Sequence, residues 1–232
     1  MSDKIYRVSQ VRAYTENISQ ILLYTEDADP LVYQAGQYVK VVHPDQNLSP
    51  LSIAKAPQDL KVLELHLFHP VQNARAQEIL RMVREEGRLL LRGPFGEATT
   101  EALLPEQPII FLAGGTGFAP IKAMIEALSQ QAACPAMHLY WSVSQEKELY
   151  LYPLVKTWEK TVPGFRFTAV LTREEGEEPK MRAIPRVVLE DYPDLSDYQV
   201  YASGPRSMIY AALYAFLQRG MAREAFYTDV FE

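Results

Sequence analysis

The chain has one cysteine, Cys134, among 232 residues. A single thiol excludes an internal disulfide, a four-cysteine iron–sulfur cluster and a four-cysteine zinc site within this chain. Positive charge is also scarce: 23 Lys and Arg stand against 29 Asp and Glu, a formal net charge of −6. That balance excludes a nucleic-acid binder, which needs a dense basic face, so any anionic ligand must be met locally. No apolar run approaches the roughly 20 residues of a membrane span. The segment Ile5-Tyr6-Arg7-Val8 alternates in polarity and lacks the continuous apolar stretch of a signal peptide. A cytoplasmic protein with a reduced thiol is expected.

Metal and hydrolytic chemistry are equally poorly supplied. His66 and His69 stand three apart, and on a strand that spacing puts them on opposite faces. His43 and His138 have no carboxylate or cysteine partner at ligand spacing, and no G-x-S-x-G elbow occurs. No metal site is expected. The acidic run Glu174-Glu175-Gly176-Glu177-Glu178 reads as a solvated loop.

What is present is a normal globular composition, 48% hydrophobic and 22% charged, which rules out a disordered chain. Up to about residue 95, short runs with a period near two are separated by turns: Ile5–Val11, Ile18–Tyr24, Tyr38–His43, Leu51–Ala54, Val62–Phe68 and Arg88–Leu91. This pattern predicts a small antiparallel barrel or sandwich. Ala76, Ile79, Leu80 and Val83 add one amphipathic helix ending before Gly87. After Gly93-Pro94-Phe95-Gly96 and a polar connector, the rhythm becomes strand–helix–strand. Strands are expected at Pro108–Ala113, Met137–Trp141, Phe165–Leu171 and Gln199–Ala202. Ile121, Met124, Ile125 and Leu128 mark a helical stripe, and further helices fall near Tyr150–Trp158, Arg182–Glu190 and Met208–Gln218. Alternation of this kind predicts a doubly wound parallel sheet. The reading is two domains: an N-terminal antiparallel β-barrel over 1–100 and an α/β nucleotide-binding domain over 106–232.

Gly114-Gly115-Thr116-Gly117-Phe118-Ala119-Pro120 lies between a buried strand and a helix. Glycines let a backbone approach a bulky anion, and the helix that follows offers free N–H groups and its positive dipole end. The spacing is G-G-T-G-x-x-P rather than G-x-G-x-x-G. A diphosphate cradle and a purely structural turn with Pro120 in the first helical turn both fit these residues.

The same stretch resembles the pyridine-nucleotide domain of the ferredoxin–NADP reductase superfamily, and three other segments agree. Ser49-Pro50-Leu51-Ser52 stands where that superfamily has its R-x-Y/F-S flavin motif. Tyr201-Ala202-Ser203-Gly204-Pro205-Arg206-Ser207-Met208 resembles its C/A-G-P-x-x-M segment, and Gly93-Pro94-Phe95-Gly96 its G-P-x-G turn. Tyr140 to Tyr150 and Thr228-Asp229-Val230-Phe231 are similar to the Y-W-G-x-R/K-E-E-x-x-L-Y and G-D-A-F segments of the small bacterial NAD(P)H:flavin oxidoreductases.

The resemblance implies FAD or FMN, either as a substrate or as a bound group, with NADH or NADPH as hydride donor. It puts Ser52 at the flavin N5 edge, with Ser49, Pro50, Leu51, His66 and Arg75 on the flavin side. Gly114, Gly115, Thr116, Gly117, Pro120 and Ser142 then fall on the nucleotide side. Ser203, Gly204, Pro205 and Met208 shape the opposite wall, and Asp229 and Phe231 close the flavin pocket. Ser52, Thr116 and Asp229 are the implied catalytic residues. Tyr140 and Trp141 fit strand-end packing equally well.

One departure matters: the family has arginine at position 49 to meet the flavin phosphate, and this chain has serine. A charge-assisted bond is about twice as strong as a neutral one, so weak flavin retention follows. Arg75, at the start of the predicted helix, is either a partial substitute or a solvated surface residue. Three activities remain in view. They are a flavin reductase whose product serves an oxygenase or ferric iron, a reductase with bound FAD feeding an iron–sulfur partner protein, and a non-catalytic nucleotide-sensing module.

Overall fold

The computed structural model describes residues 3–104, 107–172 and 183–229. Six strands form an antiparallel sheet: β1 (Lys4–Ala13), β2 (Ile18–Tyr24), β3 (Tyr38–Val42), β4 (Leu48–Ser52), β5 (Val62–Phe68) and β6 (Arg88–Phe95), in the order β4-β3-β6-β1-β2-β5. A bridge from Ile53 to Leu65 joins the two outer strands, so the sheet rolls into a barrel and its edges are covered. Ile21 and Leu23 of β2 pair with Leu65 and Leu63 of β5 and point into the barrel core. Helix α1 (Ala74–Arg81) buries Ala76, Ile79 and Leu80 in that core, and the Asn73 side chain caps it by accepting the Ala76 N–H at 3.1 Å. A π-helical turn, Met82–Glu86, follows and stops at Gly87 in the left-handed region.

The second half is a parallel sheet of β7 (Ile109–Gly114), β8 (Met137–Val143), β9 (Phe165–Leu171), β10 (Gln199–Ser203) and β11 (Phe226–Tyr227), ordered β11-β10-β7-β8-β9. Helices α2 (Phe118–Leu128) and α3 (Tyr152–Thr161) cover one face, and α4 (Ile184–Asp191) and α5 (Arg206–Leu217) the other. Both faces of β7 are therefore dry, with Ile109, Phe111 and Ala113 in one core and Ile110 and Leu112 in the other. From β7 the chain builds β8 and β9 to one side and then crosses to β10 on the other. That reversal creates a topological switch point at the carboxyl ends of β7 and β10, the place where open α/β sheets bind ligands.

One expectation is corrected and one strand is added. β4 occupies Leu48–Ser52 rather than Leu51–Ala54, because the reversal falls at Asp45–Asn47, where Gln46 adopts a positive φ of 66° and His43 and Asn47 close the turn. Pro50 is tolerated because β4 pairs only with β3 along this stretch. β11 was not anticipated, since two residues carry no periodicity. The acidic run at 174–178 lies outside the described residues. No helix of the described residues is long and apolar enough to cross a membrane.

His138 of β8 gives the fold a pH signature. Its ring lies between the Tyr192 hydroxyl and the Thr168 hydroxyl, both at 2.9 Å. Burial, helped by the Arg166 charge, holds it down at about 4. The unfolded residue titrates near 6.5, so its contribution to stability is complete above pH ~6.5 and falls as pH drops towards ~4, at up to about 1.4 kcal/mol per pH unit. Urea unfolding at pH 7, 5.5 and 4.5 should show a shallower loss in His138→Asn, by close to one proton's worth of slope.

Candidate functional site

A cavity of about 430 Å³ lies between the barrel and the parallel sheet. On the barrel side it is lined by Tyr38 and Lys40 of β3 and by Pro50 and Ser52 of β4. Pairing of Tyr38 with Ser52 and of Lys40 with Pro50 puts these four side chains on one face. Residues 201–204 at the end of β10, Arg206, Thr228 and Asp229 form the other wall. The Ser52 hydroxyl makes no hydrogen bond among the described residues. Lys40 lays its ammonium 4.2 Å from the Phe95 ring centroid and has no carboxylate partner among the described residues. The Asp229 carboxylate accepts the Ala98 N–H at 3.1 Å, tying the chain end to the turn that leaves the barrel. Phe231 lies outside the described residues.

The glycine-rich turn abuts this cavity from behind its second wall. A methyl group on Gly117 would stand 2.1 Å from the Ser203 carbonyl oxygen, and one on Gly114 would stand 2.5 Å from Pro205 and 3.0 Å from the Met208 sulfur. These two glycines exist to let the β7 and β10 loops touch. Gly115 differs: it holds φ at +54° and nothing lies within 4 Å of where its Cβ would be. It is the position at which the turn presents bare backbone to open space. Trp141, fully buried in β8, donates its indole N–H to the Gly115 carbonyl at 2.9 Å and stacks on Phe118 at 4.0 Å. The packing reading of Trp141 holds, and the same side chain braces the glycine-rich turn. Pro120 is buried in the first turn of α2, and Ser142 pairs with Gly114 across β7 and β8.

Ser49 and Arg75 belong to a different group. The Ser49 hydroxyl donates to His43 Nε2 at 2.7 Å, and His43 Nδ1–H donates to Glu78 at 2.6 Å. Arg75 holds Glu78 at 3.1 Å and Asp45 at 2.7 Å. His43 therefore has a carboxylate partner, contrary to the sequence reading, because α1 brings Glu78 back from 35 positions along the chain. Among the described residues no group of three or more His, Cys, Asp or Glu is arranged to hold a metal ion.

A second polar group crosses from the barrel to the parallel sheet, and His66 is part of it. Glu64 and His66 point away from the barrel core yet are buried, because α2 and Tyr150 cover that face. Tyr150 O–H donates to His66 Nδ1 at 2.9 Å, and His66 Nε2–H donates to Glu64 at 2.8 Å. The second Glu64 oxygen receives Lys122 Nζ at 3.0 Å. Burial by itself would raise the Glu64 carboxyl, but the His66 hydrogen bond and the Lys122 charge prevail and set it at about 2. Burial also lowers His66, which keeps it neutral in this role. Nothing in the sequence marked Lys40, Glu64 or Lys122. Lys122 sits beside the apolar stripe of α2 and reads as a solvent-facing residue when the barrel is not considered.

A further groove, of about 500 Å³, lies between α4 and α5 and is lined largely by Ala183, Pro185, Leu189, Ala211 and Ala215. Its Arg186 is paired with Glu190, and Arg219 adds a third charged side chain to the lining.

Comparison with known proteins agrees with this geometry. The family model for the oxidoreductase NAD-binding domain matches residues 111–213. The CDP-6-deoxy-L-threo-D-glycero-4-hexulose-3-dehydrase reductase of Yersinia pestis is 31% identical over 226 residues, covering 97% of this chain and 68% of the relative. The NAD(P)H-flavin reductase of Vibrio harveyi is 27% identical and covered at 97% on both sides. Among solved structures, the ferredoxin NADP+ reductase of Neisseria gonorrhoeae with bound FAD and NADP superposes with a TM-score of 0.77 at 16% identity, covering 96% of this chain and 93% of its own. A barrel joined to a parallel sheet, a cavity at the switch point and an NAD-binding sequence over the second half converge: the chain belongs to the ferredoxin–NADP reductase superfamily of flavin- and pyridine-nucleotide-dependent oxidoreductases.

Proposed function

We propose that the chain is an NAD(P)H:flavin oxidoreductase that holds its flavin loosely and releases it after reduction. The observation that carries this reading is the cavity at the switch point, with the Ser52 hydroxyl on one wall and the glycine-rich turn packed behind the other. A nicotinamide and a flavin bound there would supply hydride transfer from C4 to N5. The residues of the chain supply alignment. Ser52 can donate to or accept from N5, as a nitrogen that changes protonation requires. Gly115 and Thr116 would hold the dinucleotide, Gly204, Pro205 and Met208 would limit the far wall, and Asp229 would close the flavin side. Steady NADH or NADPH consumption with added FMN, FAD or riboflavin tests the activity. A desalted protein that is colourless supports loose binding. A stoichiometric yellow chromophore would instead favour bound FAD feeding an oxygenase or iron–sulfur partner, a role suggested by the reductase component of terephthalate 1,2-dioxygenase from Comamonas, 30% identical over 204 residues. No consumption with any flavin would leave a nucleotide-sensing module. The single thiol suits the cytoplasm.

Loose binding rests on position 49. Its serine is engaged by His43, and Arg75 is already shared by Asp45 and Glu78. Ser49→Arg is expected to tighten FMN and FAD by about 10- to 150-fold and to leave riboflavin unchanged, measured by flavin fluorescence quenching. Equal tightening for all three flavins would remove the phosphate from position 49.

The nucleotide preference follows from the loop after β8. Glu148 accepts the Ser144 N–H at 2.9 Å, and Glu146 is exposed beside it. Two carboxylates at this strand end oppose a 2′-phosphate, so NADH should be used at least as well as NADPH. A kcat/KM advantage for NADPH above about tenfold, near 1.4 kcal/mol, would overturn that assignment.

A further inference from the structure

The buried Lys122 has three partners on both sides of the cleft. Its Nζ donates to the Ala54 carbonyl at 2.8 Å, to Glu64 at 3.0 Å and to Glu126 at 2.8 Å, with only 7% of the side chain exposed. Ala54 is two residues beyond Ser52, and its own N–H bonds the Glu64 carbonyl at 2.7 Å. Lys122 is five residues beyond Gly117 on α2, the helix that issues from the glycine-rich turn. Glu126 returns the contact, since its second oxygen accepts the Ala56 N–H at 3.3 Å. Gln20 and His66 complete Glu64 from the barrel side. One ammonium thus joins the strand end that presents Ser52 to the helix that presents Gly115 and Thr116.

We propose that Lys122 is a positioning residue: by bonding Ala54 and Glu64 from α2, it fixes the Ser52 hydroxyl relative to the glycine-rich turn. This inference rests on the proposed function and concerns the distance between its two reactants. Hydride transfer is sharply sensitive to such a distance, and a displacement near 1 Å can cost about 100-fold. A merely structural ion pair would not act this way. Its loss would lower stability and leave the rate constant of the folded protein alone.

Lys122→Met leaves Glu64 buried beside an apolar side chain and is at risk of unfolding. The Lys122→Met/Glu64→Gln double variant removes both charges while keeping an acceptor for His66 and Gln20. Single-turnover reduction of added flavin by saturating NADH should slow by about 10- to 100-fold in the double variant. Separately measured dissociation constants for NADH and flavin should stay within about twofold, and the long-wavelength charge-transfer absorbance of the mixed complex should weaken in parallel. An unchanged rate constant, or a loss confined to the dissociation constants, would overturn the inference. A second readout needs no activity. Amide hydrogen exchange should accelerate in both the 52–54 and 115–117 segments, with α5 unchanged, and acceleration in only one or neither segment would overturn it. A wild-type chain inactive with every flavin would refute the proposed function, and the exchange data would still decide the role of Lys122.

Discussion

Ser52→Ala is expected to lower kcat for flavin reduction by about 10- to 1000-fold, by analogy with the roughly 100- to 1000-fold cost of removing one oxyanion-hole donor, while altering the KM for NADH much less. The structure makes this a clean substitution. Ser52 is half-buried at the end of β4, its side chain lines the cavity and its hydroxyl has no partner among the described residues. The alanine variant therefore loses no internal bond, and its stability should lie within about 0.5 kcal/mol of wild type. Steady-state kinetics together with a thermal melt check both halves. Full turnover in a stable Ser52→Ala protein would reduce Ser52 to strand packing.

Two glycines two residues apart should fail in opposite ways. Gly117→Ala drives a methyl group to 2.1 Å from the Ser203 carbonyl, a backbone atom that cannot rotate aside. The cost should be about 3 kcal/mol or more, seen as a Tm lowered by roughly 6–12 °C for a chain of this size. Gly115→Ala meets no atom, so only the left-handed backbone is penalised, at about 1 kcal/mol. Its methyl group, however, enters the open space where the proposed function puts the dinucleotide, and NADH affinity should then fall about tenfold or more. Isothermal titration with NADH and a thermal melt separate the cases. Unaltered NADH binding by Gly115→Ala would make the whole turn a loop-packing device.

Much of this architecture was legible because the core leaves a periodic trace. β2, β5 and β9 run over the residues that alternation indicates, and α1 carries the expected Ala76, Ile79 and Leu80 face. The candidate site was legible through glycine and proline, whose backbone demands are visible one residue at a time. What escaped depends on partners far along the chain. Glu78 reaches His43, Lys122 reaches Glu64 and Ala54, and Trp141 reaches Gly115 only after the barrel and the sheet are assembled. β5 shows the reason in miniature. Its sequence alternates apolar and polar residues, but Leu63, Leu65, Glu64 and His66 are all buried, since one face is closed by the barrel core and the other by α2. Alternation reveals that a strand has two faces; it does not reveal that both are covered.

The two-sided burial of β5 also bears on how such proteins can be recombined. Barrels and nucleotide-binding sheets of this superfamily invite exchange at the connector, as though each were a self-sufficient cassette. In this chain the inherited unit is larger than either half. A hybrid whose other parent lacks the counterpart residue would bring Glu64 without its lysine, or Lys122 without its carboxylate, into a dry seam. Residues 64 and 122 have to be passed on as a matched set, across a boundary that the backbone alone suggests is safe to cut.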